Sequence, residues 1–389
     1  MRMEWTQVFR WMRSMARPAP VGAGVPIAEQ IVTPRPVPAA AFGICAFVGA
    51  FSQGPAGKAV TVAGRGEFDR LSGGPQGLGE APAAVAQFFA NGGAEALLVR
   101  TASTSATSLD EGLGVLDSLI DPGFDLLCVP DAVHVPDRCA ALYEKALAIC
   151  VRQRATLLVD PPPGLAGDAG ILAWLNGVPG LRSADAALYY PRLRLDGGAD
   201  AGPSGSVAGI VARFGRERGV WKAPAGPGAG LLGAVVEDTI STQRQELLNP
   251  QGVNVIRAMG SAGPLVWGSR TLSSDPEWKY LSVRRTVLFL ERSLRQGLQW
   301  AVFEPNDEPL WASIRASVDG FLQELWRAGA LMGQTARDAW FVRCGSDTTV
   351  EADIREGRIC LVVGVALVRP AEFLTFRMIV QAAAPPPVA

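Results

Sequence analysis

A single histidine, His134, stands among the 389 residues, so any centre needing two imidazoles is excluded and a histidine-based triad could form only there. It lies in DAVHVPD between Asp131 and Asp137, at the C-terminal end of a candidate parallel strand, where α/β enzymes often place working residues. No G-x-S-x-G elbow accompanies it, and the sequence predicts a partly exposed loop histidine. GAGLLG, from Gly228 to Gly233, has the spacing of a dinucleotide-binding turn, whose glycines let backbone approach a pyrophosphate. A proline-rich loop precedes it instead of a strand, and no helix opens at its second glycine. GPAGKA around Lys58 resembles a phosphate loop, but Ser52 stands where its first glycine belongs and Ala59 replaces the magnesium-binding hydroxyl. Glu351, Asp353 and Glu356 could pair as acid and base, yet DTTVEADIREG reads as a solvated turn and strand edge. No two of the six cysteines have the spacing of a zinc knuckle or dithiol site; Cys139 and Cys150 share a helical face and are expected as small buried hydrophobes. These residues predict no catalytic site, no metal and no cofactor.

The elements that would have to position any site are legible from patterning. Thirty-seven acids against 36 bases give no electrostatic reason to bind nucleic acid or an anionic membrane, and the arginine-rich stretch of Arg213, Arg216 and Arg218 is short. An apolar fraction of 48% with 44 glycines and 29 prolines predicts a folded chain rich in turns. Arg10 and Arg13 interrupt what would be the apolar part of a secretory signal, and no apolar run reaches membrane-spanning length. Free thiols and the absence of such signals lead to an expectation of synthesis and assembly in the cytoplasm, without membrane insertion.

Six prolines between Pro18 and Pro38 predict an extended N-terminal arm over residues 1–40, with few contacts to its own body. Strand-like and helix-like segments then alternate, predicting an α/β region over 41–248 with a parallel, helix-flanked sheet. Residues 249–370 read as α+β. There Val283, Val287, Leu290, Leu294 and Leu298 predict an amphipathic helix with one buried side and arginines largely elsewhere. WAVFEPN is expected as a strand, and Trp311, Ile314, Val318, Phe321 and Leu325 mark a second amphipathic helix over 310–328. Two strands, one on each side of Pro370, and a C-terminal arm and tail over 371–389 complete the reading.

Five blocks in order then become diagnostic together: LNPQGVNVIRAMGSAGPLVWGSRTL, WKYLSVRRTVLFLERSL, WAVFEPNDEPLW, LMGQTARDAWFVRC and VRPAEFLTFRMIVQ. With FVGAFSQGP, EFDRLSGG, FFANGGAEALLVR and VAGIVARFGRERGVWKAPAG upstream, the chain resembles the sheath proteins of contractile phage tails and related injection systems across residues 42–381. It departs at Gly226, where the family's KAPAN loop has Asn, and at AGVPIAEQI, where Pro26 removes a backbone donor from the arm strand. The resemblance implies a structural subunit, not an enzyme, whose partners are further copies of itself, an inner tube protein, and baseplate and tail-terminator proteins. It implies N- and C-terminal arms that add strands to neighbouring subunits, assigned here to Val25, Ile27 and Ile31, and to Phe373, Leu374, Phe376, Met378 and Val380. Arg315 and Arg327 become candidates for facing the tube, in a C-terminal domain that faces it. Trp267, Arg270, Arg284, Arg285, Pro370 and Glu372 carry the family motifs; for the first four, core and loop packing is the expected role and a direct interface role the alternative. A baseplate or terminator protein of related fold, and a Rossmann-type enzyme built on His134 and the glycines from Gly228 to Gly233, are the alternatives.

Overall fold

The computed structural model describes residues 35–119 and 123–371. From the start of the body the chain forms β1 (Ile44–Gly49), β2 (Ala59–Val62), α1 (Arg65–Ser72), α2 (Ala81–Ala90), β3 (Glu95–Arg100), α3 (Ala106–Asp117), β4 (Leu126–Cys128), α4 (Pro136–Gln153), β5 (Thr156–Val159), α5 (Gly167–Asn176) and β6 (Ala186–Tyr190). With β10 (Val253–Ala258) and β11 (Pro264–Val266) from farther along the chain, the alternation of short apolar strands with helix-length connections resolves into one eight-stranded sheet, ordered β11-β10-β6-β5-β4-β1-β3-β2. Its six inner strands run parallel, while the edge strands β2 and β11 (Pro264–Val266) pair antiparallel to their neighbours.

Period-two patterning decides which helices cover which face. Ala46 and Val48 point into one cluster with Leu109 and Leu113 of α3 and Leu142, Tyr143 and Ala146 of α4. Cys45 and Phe47 point the other way, against Val85 and Phe88 of α2 and Val207, Ile210 and Val211 of α6 (Ser204–Arg218). Helix α2 ends where Asn91 donates its N–H back to Gln87 and Gly92 takes φ +103°, the stop predicted from Asn-Gly-Gly. A three-stranded sheet of β7 (Leu193–Leu195), β8 (Asp200–Ala201) and β9 (Ala234–Val235) lies outside the main one.

The boundary drawn at residue 248 does not interrupt the main sheet. After α7 (Thr242–Leu248), β10 (Val253–Ala258) pairs parallel with β6, Val253 beside Leu188, so backbone hydrogen bonds carry the sheet past that point. A third apolar cluster gathers the chain farther on, from α8 (Leu281–Gly297), α9 (Glu308–Arg327), α10 (Ala336–Ala339), β12 (Trp340–Arg343) and β13 (Val362–Val365). Trp311, Ile314, Val318, Phe321 and Leu325 of α9 are buried in it, the stripe expected from sequence.

Three sequence expectations need correction. WAVFEPN forms no strand: a short 3-10 turn at Gln299–Ala301 leads into a loop whose Phe303 adopts φ +71° and is fully exposed, because its backbone closes the turn between two packed helices. The DTTVEADIREG segment contains the five-residue helix α11 (Glu351–Arg355) rather than a strand edge, with Asp353 accepting from the Val350 N–H at its start. The N-terminal segment is not detached over its last six residues. Val37 is 6% exposed and fills the notch over Gly297, the Arg35 N–H donates to the Ser317 hydroxyl at 3.0 Å, and the Ala40 N–H donates to the Ser293 hydroxyl at 3.0 Å.

Candidate assembly surfaces

Helix α8 is buried on more than one side, unlike the one-sided helix expected: Val283, Leu288, Phe289 and Leu290 are buried, and so is Arg285 at 4% exposure. The reason is its position across the N-terminal ends of the parallel strands. Arg284 makes a two-pronged pair with Asp185, at 2.7 and 3.1 Å, immediately before β6. Arg285 reaches Asp125 at 3.2 Å, immediately before β4; the other oxygen of Asp125 accepts the N–H groups of Gly43 and Ile44 at the start of β1. Arg292 donates to the carbonyls of Phe124 at 2.7 Å and Arg154 at 3.3 Å. Charge-assisted bonds of this kind, with little water to compete, fix the helix at several strand starts at once. Arg284 and Arg285 are therefore engaged within their own subunit.

The opposite end of the sheet holds the region where α/β folds place ligands, at the C-terminal ends of β1 and β4, where the chain switches direction across the sheet. It is filled by the protein's own groups. Glu80, 8% exposed, accepts from the Gly202 N–H at 2.7 Å, lies 2.6 Å from His134 Nε2 and is ion-paired with Arg192. The Asp131 carboxylate accepts N–H groups from Glu80, Ala81 and Ala50, and burial raises its pKa above the ordinary value despite them. Asp160 accepts from the Ser204 N–H at 2.7 Å and the Ser204 hydroxyl at 2.6 Å, at the start of α6; burial pushes it up to about 7. His134 is thus half-exposed as expected, with Glu80 against its ring. Glu80 and Arg192 are distant in sequence, and only the sheet's folding brings them together. Carboxylates crowded at this crevice repel phosphate, and a Cβ on Gly49 would lie 2.8 Å from Asp131 Oδ2, so the arrangement is not a dinucleotide cradle. The stretch from Gly228 to Gly233 lies elsewhere: its Gly230 bridges to Leu265 of edge strand β11.

The C-terminal sheet differs from the main one. Strands β12 and β13 pair antiparallel with Phe341 opposite Gly364, and none of their residues is buried, whereas β1 is buried from Cys45 to Gly49. Trp340, Val342, Val363 and Val365 pack only partly against the third cluster. Two strands alone are marginal, and their outer backbone groups are a template for further strands.

Of the other residues singled out from sequence, Arg315 pairs with Glu308 at 2.6 Å and donates to the Cys344 carbonyl, while Arg327 is exposed on the last turn of α9. Arg270 is buried: its N–H donates to the Asn254 side chain at 2.6 Å and its Nη1 to the Asn249 carbonyl at 2.8 Å. Trp267 and Pro370 line a common groove. Val25, Ile27, Ile31, Glu372, Phe373, Leu374, Phe376, Met378 and Val380 lie outside the described residues. Among the described residues, no helix is long and apolar enough to cross a membrane.

Residues 273–381 match the family described as the phage tail sheath C-terminal domain. A prophage major tail sheath protein of Pseudomonas aeruginosa is 24% identical over 257 residues, covering 65% of this chain; the chain spans 57% of that relative's length. Among solved structures, a chain of the anti-feeding prophage baseplate is 32% identical with a TM-score of 0.74, covering 94% of this chain and 100% of that one. A chain of the anti-feeding prophage helical sheath in its contracted state is 31% identical with a TM-score of 0.72, covering 93% and 99%.

Proposed function

The chain belongs to the contractile tail sheath family, and from that premise we propose that it is the repeating subunit of a helical sheath, which surrounds an inner tube and contracts to drive the tube through a target envelope. The observation that carries the reading is the incomplete sheet β12–β13, whose residues are all at least partly exposed. Arms from neighbouring copies, the chain ahead of the docked residues 35–40 from one and residues 371–381 from another, add strands to it. Main-chain hydrogen bonding of this kind holds position largely regardless of side chains. The bodies can then rotate and slide during contraction while the strand connections persist, and new body-to-body contacts supply the free energy. No nucleotide enters that stroke, and the role is structural rather than catalytic.

In this reading the domain carrying α9 faces the tube, with Arg327 and Arg315 as its contact residues. The main sheet, which runs past residue 248 through β11, forms the outer body, the later α+β part faces the tube, and the two ends form the arms. The sheath is made and assembled in the cytoplasm before becoming part of a tail or tail-like particle, and meets baseplate and terminator proteins at its ends. The likeness to a baseplate chain supports a second reading, a capping subunit of the same fold. Electron microscopy of the purified full chain, alone and with its tube protein, tests both. Helical tubes of open-ended length are expected; closed rings that never elongate would establish the capping subunit, and persistent monomers under both conditions would refute the sheath reading.

A further inference from the structure

Beside the edge strand β11 lies a groove of about 310 Å³, whose lining includes Ala225, Gly226, Trp267, Ser269, Tyr280 and Ala371. Three observations point to a peptide occupant. Trp267 and Tyr280 give it aromatic lining, and Gly226, at φ +87°, has no atom within 4 Å of where a Cβ would stand. Ser269 is 6% exposed, yet its buried hydroxyl has no hydrogen-bond partner, a cost that a ligand carbonyl or N–H would remove. The described chain also ends on this lining: Pro370 and Ala371 both contribute to it, and Glu372 and Phe373 follow directly. Phe373 is two residues beyond Ala371, so its Cα cannot lie more than about 7 Å from that residue's.

We propose that residues 372–374 seat in this groove of their own subunit, so that the C-terminal arm is clamped at its root and only the segment from Thr375 onward is donated. Phe373 packs its ring against Trp267 and Tyr280, and the backbone beside it satisfies the Ser269 hydroxyl. Glu372 enters beside Arg270, the buried guanidinium that donates to the carbonyl of Asn249, itself a lining residue. The alternation in EFLTFRMIV then acquires a division of labour: Phe373 belongs to the subunit's own body, whereas Phe376, Met378 and Val380 belong to a neighbour's sheet. The proposal rests on the arm reading for what lies beyond Thr375, but the seat itself does not require it.

The test is cysteine crosslinking in the full chain, with the exposed Cys360 replaced by Ser. Ala225→Cys with Phe373→Cys, treated with a short bismaleimide, is expected to link within one chain in dispersed subunits and in assembled tubes. Tethering by so short a segment should favour the intrachain product by about a hundredfold at micromolar protein. Ala223→Cys replaces Ala225→Cys if thermal unfolding shows that variant to be misfolded. Linkage only between chains, loss of the intrachain link on assembly, or no link from either pair would overturn the seat. Phe341→Cys with Met378→Cys, which should link between chains in tubes, reports separately on the donated strand. Its failure alongside an intrachain Phe373 link would overturn the arm reading and leave the seat standing.

Discussion

Replacing Asp160 with asparagine tests how the polar end of the sheet is held. The carboxyl is fully buried, with the start of α6 against it: Ser204 donates both its N–H and its hydroxyl to it. Two effects oppose one another there. Burial disfavours the charged form, while the Ser204 donors and the neighbouring Arg192 favour it; Glu80 adds like charge, and burial wins, taking the group up to about 7. An unfolded aspartate titrates at about 3.9. Between those values the native state binds the extra proton, so stability falls as pH rises. The contribution is complete below about pH 4, and the loss across the window is on the order of 4 kcal/mol. The substituted amide keeps the shape and an acceptor for the Ser204 N–H, yet cannot titrate. Urea unfolding of dispersed wild-type and Asp160→Asn chains at about pH 4.5, 6 and 8 isolates the effect, since other titrating groups cancel in the difference. The two proteins should be similarly stable in acid, with the variant ahead by several kcal/mol at the highest pH. Parallel profiles, or a wild type that gains on the variant as pH rises, would refute the argument and show that Ser204 and the helix start hold the carboxylate ionised.

At Glu80, substitution by Ala leaves Arg192 without its most buried acid and should cost about 3 kcal/mol, whereas His134→Ala, half-exposed, should leave both thermal stability and sheath assembly near wild type; an equal loss from both changes would contradict the network described. Removing residues 1–33 should leave a folded monomer that forms no tubes, because residues 35–40 keep their packing; Val37→Asp should instead unfold the monomer more easily by several kcal/mol, and comparable melting of the two variants would show that the docked segment carries no stability. Phe376→Asp should abolish tubes seen by electron microscopy while the monomer melts normally; normal sheath yield would remove this residue from the interlocking arm, and an early-melting monomer would return the strand to its own body.

The parallel sheet was legible because strands buried on both faces read as short apolar runs between turn signals, as in FGICAFVGAF and ATLLVDPP. Helix α9 was legible for the opposite reason, a single apolar stripe. Helix α8 misled because its arginines look like a solvated face, and only the acids at the starts of β4 and β6 draw Arg284 and Arg285 into ion pairs against the body. Nothing local announces Asp125 or Asp185 as those partners. The same holds for His134, whose neighbours converge through sheet order. The strand expected at WAVFEPN followed residue propensity, which the tight connection between α8 and α9 overrides. The assembly surface itself was read from family motifs; the exposed state of β12–β13 came only from the fold.

The crossbar made by α8 has a mechanical consequence. On the arm reading proposed above, tension on the N-terminal arm would enter the body at residues 35–40, which grip Ser293 and Gly297 near the end of this helix, and Ser317 of α9. From α8 it spreads through Arg284, Arg285 and Arg292 to the beginnings of several adjacent strands together. Fasteners loaded side by side share a force, whereas fasteners loaded in series fail one after another like a zipper. In the proposed sheath a tug from one neighbour would therefore displace the whole sheet as a block, and strain in a moving lattice would concentrate in the linkers between subunits rather than in the bodies they join.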